Sequence, residues 1–121
     1  MKILLIDDDP DILFMAAIAL EKIGKHHVIQ ASGGMEALQK AKQELPDAIV
    51  TDYWLEDLEG TELLKQFNSQ PETQKVPVIF LTAKTEPTLI RQLLELGAKG
   101  VLAKPFDPLK LSGDIQKILA K

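Results

Sequence analysis

The chain has no cysteine, which excludes disulfides, thiol catalysis and Cys-ligated zinc or iron–sulfur centres. Its two histidines, His26 and His27, are neighbours in sequence. No histidine cluster or catalytic triad can be built from them, and they are expected to be exposed turn residues before a strand. There is no basic excess either: 14 Lys and Arg stand against 18 Asp and Glu, a formal net charge of −4. Direct nucleic-acid binding, which relies on neutralising phosphates, is not expected. The longest unbroken apolar run, Ile12 to Leu20, is nine residues, about half of a membrane span, so no membrane insertion is expected. Asp7, Asp8 and Asp9 precede that run, where a secretory signal carries positive charge. A cytoplasmic protein is the expectation.

What remains is globular composition, with 45% apolar and 26% charged residues in 121 positions, the length of one domain spanning 1–121. No repeat, low-complexity tract or Ser/Gly-rich linker divides it. A short apolar run followed by a helical pattern recurs five times. The runs are Lys2–Ile6, His27–Ala31, Ala48–Thr51, Val76–Leu81 and Gly100–Ala103. Most are continuously apolar, as in strands buried on both faces of a parallel sheet.

Helix signals lie between them. Asp9-Pro10 and Asp107-Pro108 each pair an N-cap acceptor with a proline suited to the first helical position. Ser32 is the expected cap of a second helix with an apolar stripe of Met35, Leu38, Ala41 and Leu45. Leu63, Leu64 and Phe67 suit a third helix after Gly60. Pro87 opens a fourth, with Ile90, Leu93 and Leu94 inward and Gly97 at its C-terminal end. The last helix uses Leu111, Ile115, Ile118 and Leu119. In the first helix, a 100° period places Ile12, Met15, Ala16, Ala19 and Ile23 against the sheet and leaves Phe14 and Ile18 outside. The sum is an α/β fold, (βα)5, with a doubly wound five-stranded parallel sheet.

Ligands of such sheets bind beyond the carboxyl ends of the strands. Asp7 and Asp8 follow the first strand, Asp52 the third, Thr82 the fourth and Lys104 the fifth. Singly, each has a plain structural role open to it: the acids favour a helix N-terminus by about 0.3–1 kcal/mol each. Asp52 could cap a strand end, Thr82 is β-branched, and a lone lysine is usually solvated. Together, convergent carboxylates call for a cation, and the hard oxygen set suits Mg²⁺. A metal beside a carboxylate, a hydroxyl and an ammonium suits phosphoryl transfer, with one carboxylate as nucleophile.

Leu4-Leu5-Ile6-Asp7-Asp8-Asp9, Asp47-Ala48-Ile49-Val50-Thr51-Asp52, Phe80-Leu81-Thr82-Ala83-Lys84 and Lys104-Pro105-Phe106 resemble two-component response-regulator receiver domains. Gly60 stands eight residues after Asp52, and Lys104 twenty-two after Thr82, as in that family. The resemblance implies a flavodoxin-like strand order 2-1-3-4-5. It implies Asp52 as phosphoacceptor, with Mg²⁺ held by Asp7 (through water), Asp8, Asp52 and the backbone carbonyl of Trp54. Thr82, the Ala83 amide and Lys104 would bind the phosphoryl oxygens, and the Lys104–Pro105 peptide would be cis. The implied donor is a sensor histidine kinase or histidine phosphotransfer protein, and the output is altered binding to a downstream protein.

The chain departs from the family's pattern at four positions. Glu56 replaces a common proline in the loop after Asp52. Trp54 and Lys84 put a large ring and a long cation where attacking water approaches. Val101 replaces an aromatic that swings with the switch hydroxyl. Phe14 and Ile18 are expected to extend the contact that docks the phosphohistidine bundle. With no output domain after Lys121, the chain would act by protein contact or derive from a longer regulator. Two alternatives stand beside this reading: an interaction-only receiver, and an Mg²⁺-dependent phosphohydrolase of the haloacid-dehalogenase type. The latter fits Asp7-Asp8-Asp9 but lacks length for a substrate cap and has Asp11 where such enzymes carry Thr or Val.

Overall fold

Apolar residues that run without alternation can be buried only if both faces of the sheet are covered. The computed structural model, which describes residues Met1–Lys121, shows that arrangement. Five strands, β1 (Lys2–Ile6), β2 (His27–Ala31), β3 (Ala48–Thr51), β4 (Val78–Thr82) and β5 (Gly100–Ala103), pair in parallel in the order β2-β1-β3-β4-β5. The helices are α1 (Pro10–Ile18), α2 (Gly34–Glu44), α3 (Gly60–Asn68), α4 (Pro87–Glu95) and α5 (Leu111–Leu119). Leu4, Ile6, Ile49 and Phe80 face one core, shared with Ala37 and Ala41 of α2, Leu63, Leu64 and Phe67 of α3, and Leu93 of α4. Their sequence neighbours Ile3, Leu5, Val50 and Ile79 face the other, with Ala16 of α1 and Leu111 and Ile115 of α5. The period-two alternation of side chains thus feeds two separate cores.

Several local expectations are corrected. β4 starts at Val78, because Pro77 has no N–H for the ladder and the Val76 amide donates to Thr73 in a turn. The Asp107-Pro108 pair opens a turn rather than the helix itself. The Asp107 carbonyl accepts from the Lys110 and Leu111 amides, and α5 begins at Leu111. Ser32 does not cap α2; its amide and hydroxyl both donate to Glu36, and the N-cap is Gly33.

On α2 the buried positions are Gly34, Ala37 and Ala41, whereas Met35 is exposed and Leu45 is the exposed left-handed C-cap at φ 50°. On α4 the inward pair is Leu89 and Leu93, with Ile90 half-buried and Leu94 exposed. Residues four apart share a face, whereas adjacent ones diverge by about 100°. Gly97 does terminate α4: it sits at φ 107°, with its amide on the Leu94 carbonyl and the Ala98 amide on that of Leu93.

α1 departs from a regular period. It runs into a π-helical turn at Ala19–Ile23, closed by the Gly24 amide on the Ala19 carbonyl. The wider turn carries Ile23 to the surface, and Met15 is exposed as well; Ala16 and Ala19 are buried as expected, Ile12 is half-buried, and Ala17 and Leu20 are buried in addition. Phe14 and Ile18 are exposed as expected, Phe14 by 65%. His26, expected in an exposed turn, is buried, with its Nε2 2.9 Å from the Ser112 hydroxyl of α5. His27 is exposed. No helix is long and apolar enough to cross a membrane.

Candidate functional site

The sheet hydrogen bonds continue one residue past the carboxyl ends of three strands. The Asp7 amide donates to Ala31, that of Asp52 to Ile6 and that of Lys104 to Thr82, at 3.0–3.1 Å. Side chains that leave these strand ends are therefore held by the ladder itself. β1 and β3 are neighbours, so their terminal acids meet: Asp7, Asp8 and Asp52 each offer an oxygen, all within 4.8 Å of one another.

Lys104 bridges two of them. Its ammonium lies 2.5 Å from Asp7 Oδ2 and 3.1 Å from Asp52 Oδ2, across 97 and 52 residues of chain. Asp7 is almost fully buried; its other oxygen accepts from the Asp9 amide. Burial pushes the Asp7 carboxyl above its ordinary value, against the opposing pull of Lys104 and the Asp9 amide. Lys104 is also desolvated, which alone would lower its pKa; its hydrogen bonds to Asp7 and Asp52 outweigh this and hold it above the ordinary lysine value. The second oxygen of Asp52 accepts from the Tyr53 amide at 2.7 Å.

The remaining expected residues surround this group. Thr82 ends β4, buried, and its hydroxyl accepts from the Lys84 amide at 3.1 Å while making no hydrogen bond to the carboxylates. The O–H proton is thus free to be donated. Ala83 is exposed directly beyond it. Trp54 is exposed in the loop after β3, where it bridges to Glu59, and the Tyr53 carbonyl accepts from Gly60 at 2.7 Å. Gly60 is confined by packing: a Cβ there would lie 2.6 Å from the Tyr53 ring and 2.7 Å from that of Phe80. The Lys104–Pro105 peptide is cis.

The donor set is chemically suited to Mg²⁺: three carboxylates converge on one point, with a single ammonium to balance them. The largest surface groove lies elsewhere, between α2 and α3, lined by Met35, Gln39, Gln66 and Gln70 among others.

Sequence reasoning missed two features. Lys84 reaches over the Trp54 ring, 5.4 Å from its centroid. Asp57 caps α2, with its two carboxylate oxygens on the Gly34 and Met35 amides at 2.8 and 2.9 Å. Neither has a local signature, since each partner comes from a distant segment.

Residues 3–116 match the family model of the response regulator receiver domain. PhoP of Bacillus subtilis, an alkaline phosphatase synthesis transcriptional regulatory protein, is 41% identical over 120 residues, covering 99% of this chain and 49% of that protein. The chain therefore spans about half the length of that relative. Protein PilH of Pseudomonas aeruginosa is 34% identical over 119 residues, 98% of each chain. Among solved structures, the chemotaxis response regulator CheY4 of Vibrio cholerae superposes with a TM-score of 0.89 at 32% identity, covering 97% of both chains. The receiver domain of a sensor histidine kinase from Pseudomonas aeruginosa, solved with a magnesium ion coordinated in its active-site cleft, superposes with a TM-score of 0.86 at 28% identity, covering 99% of this chain and 98% of that one. By sequence match and by fold, the chain belongs to the response regulator receiver domains, the phosphoacceptor modules of two-component signalling.

Proposed function

We propose that Asp52 is the phosphoacceptor and that residues 1–121 form one receiver domain, which takes its phosphoryl group from a phosphohistidine. The observation that carries this reading is the convergence of Asp7, Asp8 and Asp52 with Lys104 bridging two of them. In the transfer, an Asp52 carboxylate oxygen forms a bond to phosphorus as the phosphorus–nitrogen bond of the donor breaks. The released imidazole regains its electron pair and takes up a proton, and the product is an acyl phosphate.

A loose transition state spreads charge over three equatorial oxygens, so positioned positive charge supplies most of the catalysis. Lys104, already drawn toward Asp52, neutralises one of them. The Thr82 hydroxyl and Ala83 amide donate to another. Asp7, Asp8, Asp52 and the Trp54 carbonyl would hold Mg²⁺, which supplies neutralisation of the third. The Tyr53 amide, 2.7 Å from Asp52 Oδ1, fixes the carboxylate plane.

The donor is a sensor histidine kinase or histidine phosphotransfer protein, and Phe14 and Ile18, exposed on α1, offer an apolar surface for it. The output is a change in affinity for a downstream protein, with self-phosphorylation and self-dephosphorylation as the domain's own chemistry. Val101, half-buried against one of the two cores, has no ring to rotate, so output depends on other elements.

The test is intact mass after incubation with Mg²⁺ and a small acyl-phosphate donor, beside an Asp52→Asn variant. One added phosphoryl group in the wild type alone is the expected result. No adduct, with Mg²⁺ binding demonstrated separately and a second acyl-phosphate donor equally inert, supports an interaction-only receiver. Donor hydrolysis without an adduct supports a phosphohydrolase.

A further inference from the structure

The loop between β3 and α3 carries Trp54, Glu56 and Asp57. Two contacts close this loop. At its base the Gly60 amide donates to Tyr53 and residues Trp54 and Glu59 bridge. At its tip Asp57 reaches α2, twenty-three and twenty-two residues back in sequence, and accepts from two successive amides.

α2 is built to receive it. Its N-cap is Gly33, which has no side chain to serve the free amides of the first turn. The only side-chain acceptor on the Gly34 and Met35 amides is Asp57. These two hydrogen bonds lower the Asp57 pKa, so the carboxylate is charged where it meets the positive end of the helix. The fit is close. A Cβ on Gly33 would lie 3.4 Å from both Asp57 oxygens, and one on Gly34 would lie 2.8 Å from Leu58 Cδ1. Consecutive glycines thus leave room for the loop tip, and Leu58 packs partly buried against the α2–α4 core beside them.

We propose that Asp57 is a positioning residue of the phosphoacceptor site: it braces the loop that follows Asp52 against the N-terminus of α2. The loop is short, so its tip cannot shift without moving the Trp54 backbone, whose carbonyl belongs to the proposed metal set. The brace therefore couples metal affinity to the order of the first turn of α2. Coupling of this kind is reciprocal: what the brace does for the metal, the metal does for the brace. This inference rests on reading Asp7, Asp8 and Asp52 as the Mg²⁺ site.

The experiment is Mg²⁺ titration by calorimetry on the wild type, Asp57→Ala, Asp57→Asn and Gly34→Ala, with hydrogen exchange of the Gly34 and Met35 amides read with and without Mg²⁺. Asp57→Ala removes both acceptors and is expected to weaken Mg²⁺ binding by roughly fivefold or more. Asp57→Asn keeps one acceptor and is expected to fall between. Gly34→Ala disturbs the same joint from the helix side, through Leu58, and is expected to weaken binding without altering Asp57. Gly24→Ala is the control for simple destabilisation. Its Cβ would lie 2.4 Å from the Ser112 hydroxyl, at the opposite end of the sheet, so it should lower stability and leave Mg²⁺ affinity unchanged.

In the wild type Mg²⁺ should slow exchange of the two amides, and in Asp57→Ala it should not. Unchanged Mg²⁺ affinity in folded Asp57→Ala and Gly34→Ala would overturn the inference while leaving the metal site intact. Equal loss of affinity in Gly24→Ala would also overturn it, since any destabilisation would then suffice. Absence of Mg²⁺ binding in the wild type overturns the reading of the site, and the brace with it.

Discussion

The ammonium of Lys84 lies 5.4 Å from the ring centroid of Trp54, so the residues two positions beyond Thr82 and Asp52 meet as a cation–π pair. Lys84 is also tied to Glu86 at 3.4 Å, and the Trp54 ring packs edge-on against Tyr53 at 5.3 Å. A half-exposed indole is thereby held between the loops after β3 and β4. If Asp52 carries the acyl phosphate, as proposed, this pair covers one side from which water would approach it.

Phosphate loss from the phosphorylated domain should consequently be slow, and Trp54→Asn should accelerate it. An exposed cation–π pair contributes about 0.5–1 kcal/mol, which corresponds to roughly two- to fivefold in rate. Single-turnover decay of the acyl phosphate, followed by intact mass, measures it. Equal decay in both proteins counts against shielding by the ring.

Lys104 is the only cation bonded to Asp7 and Asp52, and all three side chains are at most 14% exposed. In Lys104→Met, two desolvated carboxylates lose their partner. Leaving a buried acceptor unpaired costs about 1–3 kcal/mol, so metal-free Tm should fall clearly. A divalent cation replaces the missing charge, and Mg²⁺ should therefore raise Tm more in the variant than in the wild type. Thermal unfolding with and without chelator decides it.

His26 is buried beside Ser112, with the N-terminal amine 3.4 Å from its Nδ1. Burial first, and then that amine, hold its pKa below the ordinary 6.5. The folded protein thus binds fewer protons than the unfolded chain between the lowered value and 6.5, and stability rises with pH across that window. The contribution is complete above 6.5 and is lost as pH falls through the folded value. Urea unfolding from pH 7 downward should show a decline that His26→Gln, which keeps a polar group toward Ser112, reduces. Parallel profiles would show that other groups set the acid limb.

Phe14 and Ile18 form an exposed apolar pair on α1, joined by the exposed Met15. If this surface docks the phosphohistidine donor, the double variant Phe14→Ser, Ile18→Ser should slow transfer. Central interface side chains contribute more than about 1 kcal/mol each, so a loss on the order of tenfold or more is expected. Phosphorylation by a small acyl phosphate should be unaffected. Unchanged transfer from the cognate donor would remove this surface from the interface.

The strands, their burial on both faces and the placing of Asp7, Asp8, Asp52, Thr82 and Lys104 at strand ends were legible in sequence. Each depends on short-range signals: apolar runs, a proline, a polar residue where the run stops. The Asp9 cap and the Gly97 terminus belong to the same class, since cap and helix end lie within a few residues of each other. The flavodoxin-like strand order came through the family resemblance, not through the pattern.

Only the tertiary structure decided which long-range partners meet. Lys104 selects Asp7 and Asp52 because β1 and β3 are adjacent and the ladder continues past their ends. Asp57 displaces Ser32 as the cap of α2 because Gly33 and Gly34 let the loop tip approach. The π-helical turn that ends α1 moves Ile23 outward, and the burial of His26 follows from the approach of α5. Sequence periodicity describes one element at a time, and such contacts depend on the register between elements.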